Sequence, residues 1–347
     1  MTPPNRRITI KDLAARLAVS TATVSNAFNR PDQLSPALRD RILGEARAVG
    51  YLGPDARGRS LRTGRSRIIA VVLADSLTYS LNDAVASEFL AGVAEVLDAH
   101  GHTLLLLPSR GGLRLESASM ADGFIVYGLL PDPEMHQQLP SQRPLMSVDF
   151  DLAGQASVHI DNHAACLTIA RHALRHRPSR PAIINLRSTL EPCNGRVIDQ
   201  PLLSESQTIT RVRLTGFHEA LSEHHFVPDE VPMWNIEENT FDVCAPVIAE
   251  ILDLPDDERP DLLLCMSDRI ALTVLTLAEQ RGLRIPEDLR ITGFDGIAEG
   301  QYRAPRLTTV RQDSVEKGRV AASMILGLTP RESRLLKTEL IVGETAP

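Results

Sequence analysis

Apolar positions between Ile8 and Asn29 repeat twice at helical spacing, with a two-residue break between the repeats. Ile10, Leu13, Ala14 and Leu17 form one stripe, and Val24, Ala27 and Phe28 stand at i, i+3 and i+4 of another. Ala18 and Val19 make the turn, and Ser20 is placed to cap the second helix through its hydroxyl. The face opposite the second stripe carries Thr21, Ala22, Ser25, Asn26 and Asn29, small and polar. Such a pair fits a helix-turn-helix whose second helix enters a DNA major groove. The same pattern fits an ordinary pair of packed helices. A third helix is signalled by Ser35 as cap and Pro36 at the first turn. Leu38, Ile42, Leu43, Ala46 and Val49 form its apolar face, and Gly50 is its stop.

From Ser66 onward the pattern becomes one of apolar runs alternating with amphipathic stretches. Strands are predicted at 68–73, 103–107, 123–127, 144–148, 182–186, 261–266 and 289–293. Helices are predicted near 84–100, 164–176, 214–224, 243–252 and 268–281. Continuous apolar strands separated by helices mean parallel sheets covered on both faces. Two such series predict two doubly wound lobes with a cleft between them. The segment 187–210 is long for a connection, and 108–122 is short for a crossover helix.

Between these regions runs YLGPDARGRSLRTGRSR, residues 51–67, rich in Arg and Gly with only Leu61 apolar in its central part. It reads as a flexible linker, or as one or two helical turns near 56–62 that form only when something else stabilises them. Gly58 weakens the second reading.

Composition sharpens this division. Residues 1–67 carry 13 Lys and Arg against 5 Asp and Glu, a net of +8, while the rest carries 24 against 39, a net of −15. A basic module on an acidic body fits a polyanion-binding head, although a solvated basic face has the same composition. No stretch has the length and hydrophobicity of a bilayer span, and the N-terminus lacks the apolar core of a signal peptide. Cys166, Cys193, Cys244 and Cys265 are widely spaced, without metal-ligand spacing, and read as reduced thiols of a cytoplasmic protein. No metal or cofactor is expected.

The blocks ITIKDLAARLAVSTATVSNAFN, LSPALRDRILGEARAVGYLG, RSLRTGRSR and GFDGIAEGQYRAPRLTTVRQD occur in an order and at spacings that resemble the lactose-repressor (LacI/GalR-type) family across essentially the whole chain. The resemblance implies an N-terminal all-α helix-turn-helix headpiece at 1–52, a hinge at 53–66, and an α/β core at 67–347 like type I periplasmic binding proteins. Lobe 1 of that core is placed at about 67–160 and 296–328, and lobe 2 at about 161–295 and 329–347. It further implies a homodimer on a near-palindromic double-stranded DNA operator, controlled by a small molecule between the lobes.

By the same resemblance, Thr21, Ala22 and Asn26 choose bases, with Asn26 standing where the family commonly has Arg. Ser20, Thr23, Ser25 and Asn29 are assigned to the DNA backbone, and Thr9 also belongs to the DNA-binding set. Leu61 is the minor-groove wedge, flanked by Arg57, Arg59 and Arg62. Asp295 of GFDG faces the cleft, and Arg213 reaches the ligand from the helix RVRLTGF or is a surface charge. Phe241 stacks on the ligand or belongs to the core. Asp75 and Asp149 sit at strand ends facing the cleft, and Tyr79, Asp161, Ser267 and Asp268 complete the effector set. Ser267 stands where the family has Asn, which alters the hydrogen-bonding inventory.

HExxH, Gly-rich phosphate-loop and GxSxG patterns are absent from the sequence, so an enzyme reading lacks support. A solute-binding protein shares the two-lobed core but not the basic headpiece. The reading is a cytoplasmic, ligand-responsive DNA-binding regulator, most simply a repressor. Its effector is read as a sugar-like polar metabolite, with a non-sugar corepressor as the alternative. After Leu340 there is no leucine-heptad tail to build a tetramer by coiled coil.

Overall fold

The computed structural model describes residues 8–51, 53, 66–130, 132, 134–204 and 208–347. Two compact units divide after Arg67. The hinge assignments Arg57, Arg59, Leu61 and Arg62 lie outside the described residues.

Among the described residues the first unit has three α-helices, α1 (Ile10–Leu17), α2 (Thr21–Asn29) and α3 (Pro36–Ala48). Thr9 and Asp12 open α1 with a reciprocal capping box, in which each side chain accepts the other's backbone N–H. Ala18 ends α1 in the left-handed region at φ 54°. Ser20 Oγ then accepts from Thr23 N at 3.0 Å and starts α2. Leu13, Ala14, Leu17, Val24, Ala27, Ile42, Ala46 and Tyr51 make a buried core, and Phe28 meets Tyr51 edge-on with ring centroids 5.8 Å apart. Arg39 and Arg41 donate to the Ala27 and Leu17 carbonyls at the ends of the first two helices, so basic side chains satisfy groups the helices leave open.

The second unit holds two sheets and a ribbon. The first sheet has the order β2–β1–β3–β4–β5–β12, all parallel: β1 (Ile68–Leu73), β2 (Thr103–Pro108), β3 (Gly123–Tyr127), β4 (Leu145–Val148), β5 (Ala156–Ile160) and β12 (Arg334–Leu336). Along β1, Ile69, Val71 and Leu73 enter one core while Ala70 and Val72 enter the other, which is why the strand reads as unbroken apolar sequence. The second sheet has the order β7–β8–β6–β9–β10: β6 (Pro181–Leu186), β7 (Gly195–Arg196), β8 (Met233–Ile236), β9 (Leu262–Cys265) and β10 (Arg290–Thr292), with only β7 antiparallel. β11 (Thr309–Gln312) and β13 (Thr338–Ile341) form an antiparallel ribbon.

The chain crosses between lobes at positions other than those expected from sequence. Ile297 and Leu307 belong to the second lobe's core, so residues 296–312 stay there and the crossing comes after Gln312. Arg334–Leu336 then joins the first sheet beside β5 instead of lying in lobe 2. A three-residue strand with two exposed side chains carries no periodicity to betray it. In the 108–122 crossover only Leu115–Ala118 is helical. The long 187–204 segment is tied back by an antiparallel bridge from Thr189 to Leu202 and by β7 on β8.

Helices α5 (Ala84–Ala99) and α12 (Ser314–Ile325) pack with backbones nearly touching. A Cβ at Gly92 would stand 2.0 Å from the Val315 carbonyl oxygen, and one at Gly318 2.1 Å from that of Phe89. Gly92→Ala is therefore expected to destabilise the core unit by about 1–3 kcal/mol. Gly44→Ala in α3, where nothing lies within 4 Å of the new methyl, should stabilise the headpiece by about 0.5–1 kcal/mol. Calorimetric melts of the two variants check this pair of opposite signs.

Candidate functional site

In the headpiece, α2 presents Thr21, Ala22 and Asn29 fully exposed and Thr23, Ser25 and Asn26 partly so. Its buried face is Val24 and Ala27. The Asn26 amide donates to Gln33 Oε1 at 3.3 Å, and Asn29 Nδ2 donates to the Ser25 carbonyl at 3.0 Å. Gln33, in the turn after α2, was not singled out by sequence and orients the central amide of the face. The Ser20 and Thr9 hydroxyls serve as helix caps, and Thr23 Oγ1 lies 2.8 Å from Ser20 Oγ.

In the core unit, a cleft of about 720 Å³ opens between the two lobes. Both sheets direct the ends of their strands at it. β1 lies between β2 and β3, and β6 between β8 and β9, so each is the strand at which its sheet's order reverses and a crevice forms. Asp75 follows β1 and Arg187 follows β6, and Arg187 Nη1 is 2.9 Å from both carboxylate oxygens of Asp75. Arg187 also donates to the Glu237 carbonyl and lies 4.9 Å over the Tyr79 ring. Tyr79, Tyr127, Phe150, Leu130 and Leu152 supply apolar wall.

The floor is a buried polar chain from one lobe to the other. Arg213 of α8 (Ile209–Glu223) lies 3.7 Å from Asp295 Oδ1, stacks over Phe294, and donates to Asn162 and the Met266 carbonyl. Asp295 Oδ1 accepts from Gln312 Nε2 at 2.7 Å, and Gln312 Oε1 accepts from Lys317 Nζ at 2.6 Å. Lys317, 1% exposed, then meets Asp149 Oδ1 at 2.5 Å. Charges this deep persist only when paired and hydrogen-bonded. Arg187, Asp149 and Asp295 all have positive φ, at 49°, 67° and 119°. Non-glycine backbone held there is strained, and these three residues border the cleft.

Comparison with known proteins then decides the family. Residues 202–346 match the periplasmic binding protein-like domain. An HTH-type transcriptional regulator of Mycobacterium tuberculosis is 35% identical, covering 99% of this chain and 98% of its own. The HTH-type transcriptional repressor CytR of Escherichia coli K12 is 31% identical, with 96% and 95% covered. A crystal structure of a LacI-family transcriptional regulator from Corynebacterium glutamicum superposes with a TM-score of 0.68 at 28% identity, covering 99% and 100%. This chain belongs to the LacI family of transcriptional regulators.

As a LacI-family member it is a DNA-binding regulator and not an enzyme. Among the described residues no helix is long and apolar enough to cross a membrane. Of the effector positions read from sequence, Asp75, Tyr79, Asp149, Arg213, Ser267 and Asp295 line the cleft. Three do not. Phe241 begins α9 (Phe241–Leu252) and is 47% exposed in a separate surface groove with Tyr302 and Arg269, neither in the core nor in the cleft. Asp161 is exposed and caps α7 (Asn162–Leu174) by accepting from Ala164 N. Asp268 is wholly buried beneath the cleft, accepting from Thr309 Oγ1 at 2.5 Å and Ile297 N at 2.8 Å. It anchors the loop that carries Asp295. Gly293 of the GFDG motif is required there, because a Cβ would stand 2.1 Å from Asp268 Oδ1.

Sequence reasoning missed Arg187, Tyr127, Phe150, Asn239, Gln312 and Lys317. Arg187 carried the same signal as Asp75, a charge directly after an apolar strand. Asn239 accepts from Ser267 Oγ at 2.7 Å and donates to Asp83 at 3.4 Å, so the departure at Ser267 is matched by an amide from another loop.

Burial raises Asp295 to about 7, against the pull of Arg213, which lowers it. Asp83 and, much more strongly, Asp268 are also raised, first by burial. For Asp295 the folded value lies above the ordinary carboxylate value, so the folded state holds a proton that the unfolded chain has released. Its contribution to stability therefore falls as pH rises from about 4 to about 7. The melting temperature of wild type minus that of Asp295→Asn is expected to decrease across that window. A pH-independent difference in scanning fluorimetry would contradict the assignment.

Proposed function

We propose that this regulator is a cytoplasmic repressor that binds a near-palindromic operator as a homodimer and answers to a neutral, hydroxyl-rich small molecule held between the core lobes. A sugar or sugar derivative fits that description. The carrying observation is the charge arrangement of the cleft: Arg187, Arg213 and Lys317 each already face a carboxylate, from Asp75, Asp295 and Asp149. An anionic ligand would have to displace one of these. Hydroxyl donors, by contrast, meet several carboxylate and amide oxygens, while Tyr79, Tyr127 and Phe150 provide flat apolar surface for a ring.

On the DNA side, α2 enters the major groove, with Thr21, Ala22 and Asn26 at base edges. Thr9, Ser20, Thr23, Ser25 and Asn29 lie toward the backbone, where contacts position without specifying. Asn26 pairs with adenine N6 and N7, giving A·T where an Arg would select guanine. Leu61 serves as a minor-groove wedge with Arg57, Arg59 and Arg62 on the flanking phosphates. The net +8 of residues 1–67 supports this placement.

The test is selection of bound genomic fragments by the full-length protein and by Asn26→Arg. Wild type is expected to return a palindrome, and the variant to exchange A·T for G·C at one symmetric position, a preference of about 1–3 kcal/mol. Binding without sequence preference would overturn the operator reading, and an unchanged palindrome would overturn the role of Asn26. Leu61→Ala is expected to weaken operator binding far more than binding to random DNA.

A further inference from the structure

We propose that Asp75 and Arg187 form a latch that holds the two lobes together across the cleft in the protein without effector. The pair joins the two places where the sheets reverse their strand order, one on each lobe, and so spans the crevice instead of bordering it. Arg187 engages the opposite lobe twice, through the Asp75 carboxylate and through the face of Tyr79 at 4.9 Å. Its own lobe fixes it by the Nε bond to the Glu237 carbonyl at 2.6 Å and by the left-handed backbone at φ 49°. The guanidinium is thus aimed across the cleft by groups other than its partner.

A second cation strengthens the closure. Arg110, which follows β2 in the first lobe, lies 3.2 Å from Asp75 and 3.9 Å from Glu238 of the second. Asn239 of the second lobe donates to Asp83 of the first at 3.4 Å. These polar interlobe contacts support one another, beside the apolar packing of Ala84 and Val85 against the second lobe's core. The Asp75 and Arg187 side chains keep 19% and 28% exposure. Desolvation on closure is only partial, and one charged nitrogen reaching two carboxylate oxygens favours the joined state. An effector must then enter beneath the latch or part it, and either route ties ligand affinity to the lobe equilibrium. That last consequence rests on the effector reading above, whereas the latch itself does not.

Lobe separation can be read directly by pulsed electron–electron resonance on the full-length protein without DNA or effector. Nitroxide labels are placed at exposed Glu116 in the first lobe and Asp257 in the second, in a Cys193→Ser background. Wild type is expected to give mainly one short distance. Arg187→Met and Asp75→Ala should each shift the closed-to-open ratio by at least about tenfold toward a longer distance. The double variant should open no further than Arg187→Met alone, because removing the guanidinium breaks its Asp75 and Tyr79 contacts together. Circular dichroism confirms folding of each variant, and two independent substitutions guard against misfolding of one. Distance distributions in both single variants that match wild type would overturn the proposal, as would opening that simply adds in the double variant. Failure here leaves operator selection untouched, so the two readings fall separately.

Discussion

Charge buried at the seam between two half-proteins must be paired and hydrogen-bonded, and this constraint organises the core. Each lobe is a sheet of apolar strands with helices on its faces; Lys317 pairs with Asp149 within the first and Arg213 with Asp295 within the second, while Arg187 reaches Asp75 across the cleft. Lys317 belongs to a helix of the first lobe and Asp295 to a loop of the second, with the Gln312 amide joining them. Asp149 and Arg213 terminate the chain at its two ends. A ligand that hydrogen-bonds any member perturbs groups on both lobes. The floor of the cleft is in this sense the polar joint between the lobes, and Asp149 and Asp295 hold positive φ there.

The headpiece obeys a different economy. Among the described residues its core has eight buried side chains, so helix ends contribute a large share of its definition. Thr9, Ser20 and Ser35 all spend their hydroxyls on caps. This leaves the exposed face of α2 to small side chains and two amides, a surface that can approach a groove closely. Asn26 stands out because Gln33 holds its amide in place, which is the preorganisation a bidentate base contact needs.

How much of this was legible in the sequence follows from where the physics is local. The Ser20 and Ser35 caps, the turn at Ala18 and Val19 and the long apolar strands are encoded within a few residues, and the sequence shows them. Short strands such as Ala156–Ile160, Met233–Ile236 and Arg334–Leu336 form because a neighbour offers an edge, and nothing in their own pattern announces it. Asp75, Asp149, Arg213 and Asp295 were found because strand ends face a cleft and because a family motif marks two of them. Phe241 and Asp161 were misplaced: one helix turn decides whether a residue faces a cleft, a surface groove or its own helix end. Lys317 was invisible, a lysine in an amphipathic helix whose partner lies 168 positions away.

The proposed repressor requires that the state of the seam govern DNA binding, although no seam residue is assigned to DNA. The most direct measurement is the affinity of Asp75→Ala and wild type for the selected operator and for random duplex, by fluorescence anisotropy at one salt concentration without effector. An altered operator affinity with unchanged affinity for random DNA is expected. Identical affinities for both duplexes would show that cleft and headpiece act independently, and would contradict it.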